Sequence, residues 1–160
     1  MIPKPSADYM KGRPKKDIFP IKTQKLVLNQ IREYILNNLP PNTQIYRKRI
    51  FGSLAKGTFG KYKGKHDSRK FSDVDVLFVV DDNFLPPKKW KIQFNCVDKV
   101  WVVYDVAEIP IVIKDETIPV LIQYIILTKT FASKPETILS AESWGIPLKR
   151  FFSKNKFIPL

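Results

Sequence analysis

Phe51 to Asp82 reads FGSLAKGTFGKYKGKHDSRKFSDVDVLFVVDD, and this stretch decides the fold. It holds a Gly-Ser turn at Gly52 and Ser53, a basic segment with two further glycines, and two aspartates, Asp73 and Asp75, at the head of the apolar run Val76 to Val80. Side chains at i and i+2 of a strand point the same way, so Asp73 and Asp75 share a face. Two carboxylates that close repel each other unless a positive charge lies between them, and a divalent cation is the usual one. The Gly-Ser turn offers backbone N–H groups and a hydroxyl, which suit a phosphate. A cation beside a phosphate points to nucleotide chemistry. The same residues also serve as ordinary turn caps, with the aspartates accepting backbone N–H bonds. That alternative does not explain why carboxylates open so apolar a run.

Gly52-Ser53, then Ala55, Gly57 and Thr58, followed by Ser72-Asp73-Val74-Asp75, resembles the GSxAxGT and SDxD signature of the nucleotidyltransferase superfamily that includes DNA polymerase beta. Within it the chain is most similar to the small, minimal nucleotidyltransferases of prokaryotes. The pattern extends over residues 23 to 107, and the motif itself from Gly52 to Asp75. The resemblance implies an α/β nucleotidyltransferase fold, a mixed sheet of four to five strands with helices packed on it. It implies transfer of a nucleoside monophosphate from a nucleoside triphosphate, ATP being the expected one, to a hydroxyl on a protein or a nucleic acid. Two Mg²⁺ or Mn²⁺ ions would be held by Asp73, Asp75 and a third carboxylate on a neighbouring strand. Gly52 and Ser53 would hold the phosphates, with Lys56 and Thr58 beside them. Minimal relatives often work with a separate helical partner protein in toxin and antitoxin pairs. The alternative function is a non-catalytic nucleic-acid-binding domain with the same fold.

For the third carboxylate, Val100 to Val106 reads as a strand with Asp105 embedded in it, and a carboxylate among apolar residues is costly unless paired or metal-bound. Asp105 is therefore the expected third ligand and acceptor-side base; Asp98, in a turn setting, is second. Asp81 and Asp82 sit at the far end of the strand, ~20 Å from Asp75 at strand rise, and read as turn residues.

The chain departs from the minimal pattern in Phe59 to Phe71, a basic insert carrying Lys61, Lys63, Lys65, Arg69 and Lys70 around Tyr62. Cations interleaved with an aromatic ring suit single-stranded nucleic acid, and a solvated hairpin has the same composition. Lys and Arg outnumber Asp and Glu by 28 to 15 over 160 residues, a net charge of +13 that favours polyanionic partners. A hydrophobic content of 44% supports one globular domain.

A single cysteine, Cys96, excludes an internal disulfide, and His66 is the only histidine, so there is no Cys/His zinc set and little scope for Ser-His or Cys-His catalysis. A reducing cytoplasm is the expected compartment. The start of the chain lacks the apolar core of a signal peptide, and Ile118 to Leu127 is too short to span a bilayer, so no membrane association is expected.

Residues 1–22, rich in proline and lysine, read as an extended arm, residues 23–148 as the transferase domain, and residues 149–160 as a basic tail. Thr23 to Leu39 reads as the first helix, with Thr23 as its cap and Leu28, Ile31, Ile35 and Leu39 as its stripe. Ile45 to Phe51 reads as a strand, Leu54 to Gly57 as a short helix, and Lys91 to Phe94 and Ile109 to Ile113 as strands. Two more helices are expected, from Ile118 to Thr130 and from the capping box at Ser133 to Trp144.

Overall fold

The computed structural model describes residues 15–41, 43–66, 69–96, 100–104, 108–134, 138–141 and 144–160. The first helix, α1 (Ile21–Asn37), buries Val27, Ile31 and Ile35 along one stripe; of the expected stripe Ile31 and Ile35 are buried, while Leu28 and, beyond the helix, Leu39 are only partly so. It begins before Thr23: Pro20 takes the cap position, and the Gln24 N–H closes the first turn onto the Pro20 carbonyl at 3.0 Å. Asn38 ends it, with its backbone N–H on the Ile35 carbonyl, just ahead of Pro40 and Pro41.

The strands are β1 (Lys16–Ile18), β2 (Ile45–Phe51), β3 (Gly60–His66), β4 (Arg69–Phe71), β5 (Val74–Val80), β6 (Lys91–Cys96), β7 (Val100–Tyr104), β8 (Ile109–Ile113), β9 (Glu116–Val120), β10 (Ile122–Thr128), β11 (Ile138–Ala141), β12 (Trp144–Pro147) and β13 (Ile158–Pro159). Three shorter helices, α2 (Ser53–Lys56), α3 (Lys129–Ala132) and α4 (Leu148–Lys154), complete the described elements. The expected α/β class holds as a mixed α+β architecture, with one larger sheet and three small ones. A six-stranded sheet runs β13-β2-β5-β10-β7-β6; separate sheets are formed by β1-β3-β4, β8-β9 and β11-β12. Within the large sheet only β5 and β10 are parallel; the other neighbours are antiparallel.

β5 is buried on both sides. Val74, Val76, Phe78 and Val80 join α1 and the β8-β9 hairpin in one core, while Leu77 packs with Phe51, Ile125, Leu127, Leu148 and Phe151 in the other. The period-two alternation thus divides β5 between two cores, and Asp75, in phase with Leu77, lies on the α4 side. Burial on both faces accounts for the near-continuous apolar sequence of β5 and of its parallel neighbour β10.

Two expected helices are strands. Ile118 to Thr130 was expected as one helix; it is β9 and β10 followed by α3. Ile118, Val120, Ile122, Tyr124 and Ile126 enter the α1-side core, and Ile125 and Leu127 enter the other, which is strand alternation. A run apolar on both faces carries no period to distinguish helix from strand, and here its β-branched content decides. Pro119 fits because it lies in the small β8-β9 sheet, opposite Pro110. The helix expected from Ser133 to Trp144 is replaced by the β11-β12 hairpin, with residues 135–137 and 142–143 outside the described residues. Ser133 is not an N-cap. It closes the end of α3, its hydroxyl donating to the Thr130 carbonyl at 2.7 Å.

Neither terminal segment is merely an arm or a tail where it is described. Lys16–Ile18 pairs with β3, Ile21 opens α1, and residues 149–160 form most of α4 and the edge strand β13, which pairs with β2. Residues 1–14 lie outside the described residues. The expected basic insert is the β3-β4 hairpin, joined to β1. Among the described residues no helix is long and apolar enough to cross a membrane.

Candidate functional site

β2 delivers the chain to Gly52, and the direction it takes there depends on glycine. Gly52 has φ 74° and ψ −148°, a conformation that side chains resist, and a Cβ at this position would lie 3.1 Å from Asp75 Cγ. Position 52 therefore brings bare backbone against the Asp75 carboxylate.

Ser53 opens α2 and donates its hydroxyl to the Asp73 carbonyl at 3.4 Å, tying the turn to the start of β5. The first N–H groups of any helix lack an intrahelical acceptor, so the turn presents donors beside the aspartates. α2 is a single turn of 4 residues, too short for a substantial macrodipole. The Lys56 N–H is committed to the Gly52 carbonyl at 3.0 Å and the Thr58 N–H to the Ser53 carbonyl at 2.9 Å. Their backbone N–H groups are used to close the turn; the Lys56 side chain is exposed and the Thr58 side chain half-buried.

Asp73 and Asp75 are both half-buried. Asp73 lies on a cleft of about 350 Å³ whose walls differ in charge: Lys61 and Lys70 stand on the β3-β4 side, Glu108 and Glu116 on the β8-β9 side. Phe71, Pro119 and Leu121 supply apolar lining. Ser72, almost fully buried, anchors the hairpin to this junction: its hydroxyl accepts from Gly60 N–H at 3.1 Å and from Lys16 Nζ at 3.2 Å.

The partner that β5 meets in the parallel pair is β10, where Gln123 registers with Asp75 and Ile122 with Val74. The residue beside Asp75 on that strand is thus a neutral carboxamide. β7 is one strand further out, its Tyr104 registering with Gln123. Asp105, the expected third carboxylate, and Asp98, the second choice, lie outside the described residues. Among the described residues no three His, Cys, Asp or Glu side chains gather closely enough to hold a cation by themselves.

Of the insert residues, Lys61 and Lys70 reach the cleft, and Lys63 forms an exposed ion pair with Asp17 at 3.3 Å. The side chains of Lys65 and Arg69 lie outside the described residues, although their backbones belong to β3 and β4. Asp81 is a turn residue, as expected, whereas Asp82 also ties the turn to the start of α3. Asp81 accepts from Asn83 N–H at 3.3 Å, and Asp82 accepts from the Thr130 N–H at 3.0 Å and from its hydroxyl. Sequence reasoning missed Gln123, Glu108 and Glu116. Reading Ile122 to Thr128 as a strand would have placed Gln123 on the aspartate face, whereas nothing local marks the two glutamates.

The chain matches no protein-family model, no curated protein sequence and no solved structure.

Proposed function

We propose that this protein is a metal-dependent nucleotidyltransferase, with the nucleotidyltransferase fold built around β5. The observation that carries this reading is the apposition of the Gly52-Ser53 turn to Asp75, with Asp73 next to it on the cleft. Gly52 lets a triphosphate approach, and the first N–H groups of α2 hold its oxygens, joined by the Ser53 hydroxyl once it turns from the Asp73 carbonyl. Two half-buried carboxylates, Asp75 in β5 and Asp73 just before it, suit Mg²⁺, which binds one or two carboxylates, keeps several waters and takes its remaining oxygens from phosphates. Such an ion would neutralise the charge that develops on the phosphates in transfer. Asp105 is the proposed third carboxylate, on the acceptor side. In the reaction the acceptor hydroxyl oxygen bonds to the α-phosphorus as the bond from that phosphorus to the β-phosphate bridging oxygen breaks. Pyrophosphate leaves, and the hydroxyl proton passes to a carboxylate and then to solvent.

A second reading is a non-catalytic nucleic-acid-binding domain, favoured by the neutral Gln123 beside Asp75 and by the net charge of +13. Incubation with each α-labelled nucleoside triphosphate, Mg²⁺ and either RNA or protein acceptors separates the two. Label transferred by wild type and lost in Asp73→Asn supports the transferase. RNA binding without transfer, unchanged in Asp73→Asn, supports the binding domain.

A further inference from the structure

The small β1-β3-β4 sheet borders the candidate site and is formed from a strongly basic stretch of the sequence. Residues 15–18 and 60–71 carry seven lysines and arginines against Asp17 and Asp67. Asp17 is already paired with Lys63, whereas Lys61 and Lys70, both exposed, form no ion pair among the described residues. On the same sheet the Tyr62 ring is half-exposed, with Lys16 Nζ 5.7 Å from its centroid. The end of the sheet where β4 leads into β5 is closed by Ser72 to Gly60 and Lys16, and by Phe19 N–H to the Phe59 carbonyl at 3.0 Å.

The cleft is polar in one direction. Its lysines come from this sheet, its glutamates from β9 and from the residue before β8, and Asp73 lines the same cleft. A ligand that fits must bring anions to one wall and hydroxyls to the other. The end of a nucleic acid strand does both: its phosphates trail along the lysines, and its terminal ribose has no phosphate beyond it, so its hydroxyls can donate to one carboxylate of the opposite wall, Glu108 or Glu116. The half-exposed Tyr62 ring beside Lys16 adds a stacking surface to this sheet, which favours a single strand, whose bases are free to stack, over a duplex. A protein hydroxyl has no phosphate trail to occupy the lysine wall.

We infer that the β1-β3-β4 sheet is a track for single-stranded nucleic acid that leads a strand terminus, as acceptor hydroxyl, into the Asp73 cleft. This rests on the nucleotidyltransferase reading and adds to it the class of acceptor. Lys61 and Lys70 bind the phosphates nearest the end and are positioning residues.

The test measures binding of a short labelled single-stranded RNA by fluorescence anisotropy over a series of salt concentrations. Wild type is compared with Lys61→Glu/Lys70→Glu and with Lys149→Glu/Lys154→Glu, an equal change of charge on α4. Mg²⁺-dependent triphosphate binding and the melting temperature are followed in every variant. The inference expects the hairpin variant to lose at least tenfold in affinity, with a salt slope shallower by about 1.4 for two phosphates lost from a single strand. The α4 variant, whose lysines are exposed and do not line the cleft, should lose less than about threefold, the scale of a screened charge. Equal losses in both variants overturn the track, as does undiminished binding in the hairpin variant. Label passing to a protein acceptor, with RNA ignored, overturns the acceptor class and leaves the transferase intact. Loss of triphosphate binding from wild type would instead fail the underlying reading, whatever the RNA does.

Discussion

Gln123 stands opposite Asp75 across the parallel β5-β10 pair, on the strand that would be the natural neighbour to share a cation with it. The pairing places a neutral oxygen and an amide N–H where a carboxylate would bind metal most directly. Gln123→Glu puts two like charges side by side, which costs roughly 0.2–1 kcal/mol in a cross-strand pair. If a cation belongs there, added Mg²⁺ will recover this loss and raise the melting temperature of the variant more than that of wild type. Thermal melts with and without Mg²⁺ check this, and an unchanged Mg²⁺ response would count against a cation at Asp75.

Gly52→Ala forces a side chain into φ 74° and against Asp75. A strained residue of this kind costs about 1–3 kcal/mol, so denaturant unfolding should shift by that amount. Triphosphate binding should weaken further than stability alone explains, because the added methyl group occupies the approach to the carboxylate. A variant as stable as wild type would mean that the turn tolerates a Cβ.

Ser72→Ala removes the hydroxyl that accepts from Gly60 N–H and Lys16 Nζ in a nearly closed site. Leaving a buried N–H without its acceptor costs about 1–3 kcal/mol. Hydrogen exchange should speed up at β3 and β4 before it does at β5, whose amides lie in the large sheet. Uniform exchange across both sheets would deny the hairpin a separate hinge at Ser72.

Phe151→Ala takes one ring out of the cluster it forms with Phe51 at 5.3 Å and Phe157 at 5.7 Å. Truncating a buried phenylalanine costs about 3–5 kcal/mol, enough to unfold a marginal domain. Circular dichroism melts should show a large loss. A small one would mean that α4 packs only loosely on the sheet.

Much of the site could be read before the fold was known. The stripe of α1, the strand that ends at Gly52, the one-turn helix after it and the carboxylates at the head of β5 all lie in local patterns of period or turn chemistry. β10 was lost because Ile122 to Thr128 is buried on both faces, which erases the alternation that distinguishes a strand from a helix. The edge strands Lys16–Ile18 and Ile158–Pro159 carry no strand signature; they form because β3 and β2 offer them free edges, a tertiary cause. Ser133 had the spacing of an N-cap, yet its hydroxyl is used to close the helix before it. The charge contrast across the cleft arises from residues far apart in the chain, Lys61 and Glu116 among them, and no local window contains both.

Isothermal titration of each nucleoside triphosphate into the protein, in Mg²⁺ and then in chelator, with wild type and Asp73→Asn/Asp75→Asn side by side, tests the central claim most directly. The expected result is saturable binding of at least one triphosphate that requires Mg²⁺ and falls at least tenfold, about 1.4 kcal/mol, in the double variant. Absence of binding for all four in Mg²⁺, or equal binding by the folded double variant, would contradict it.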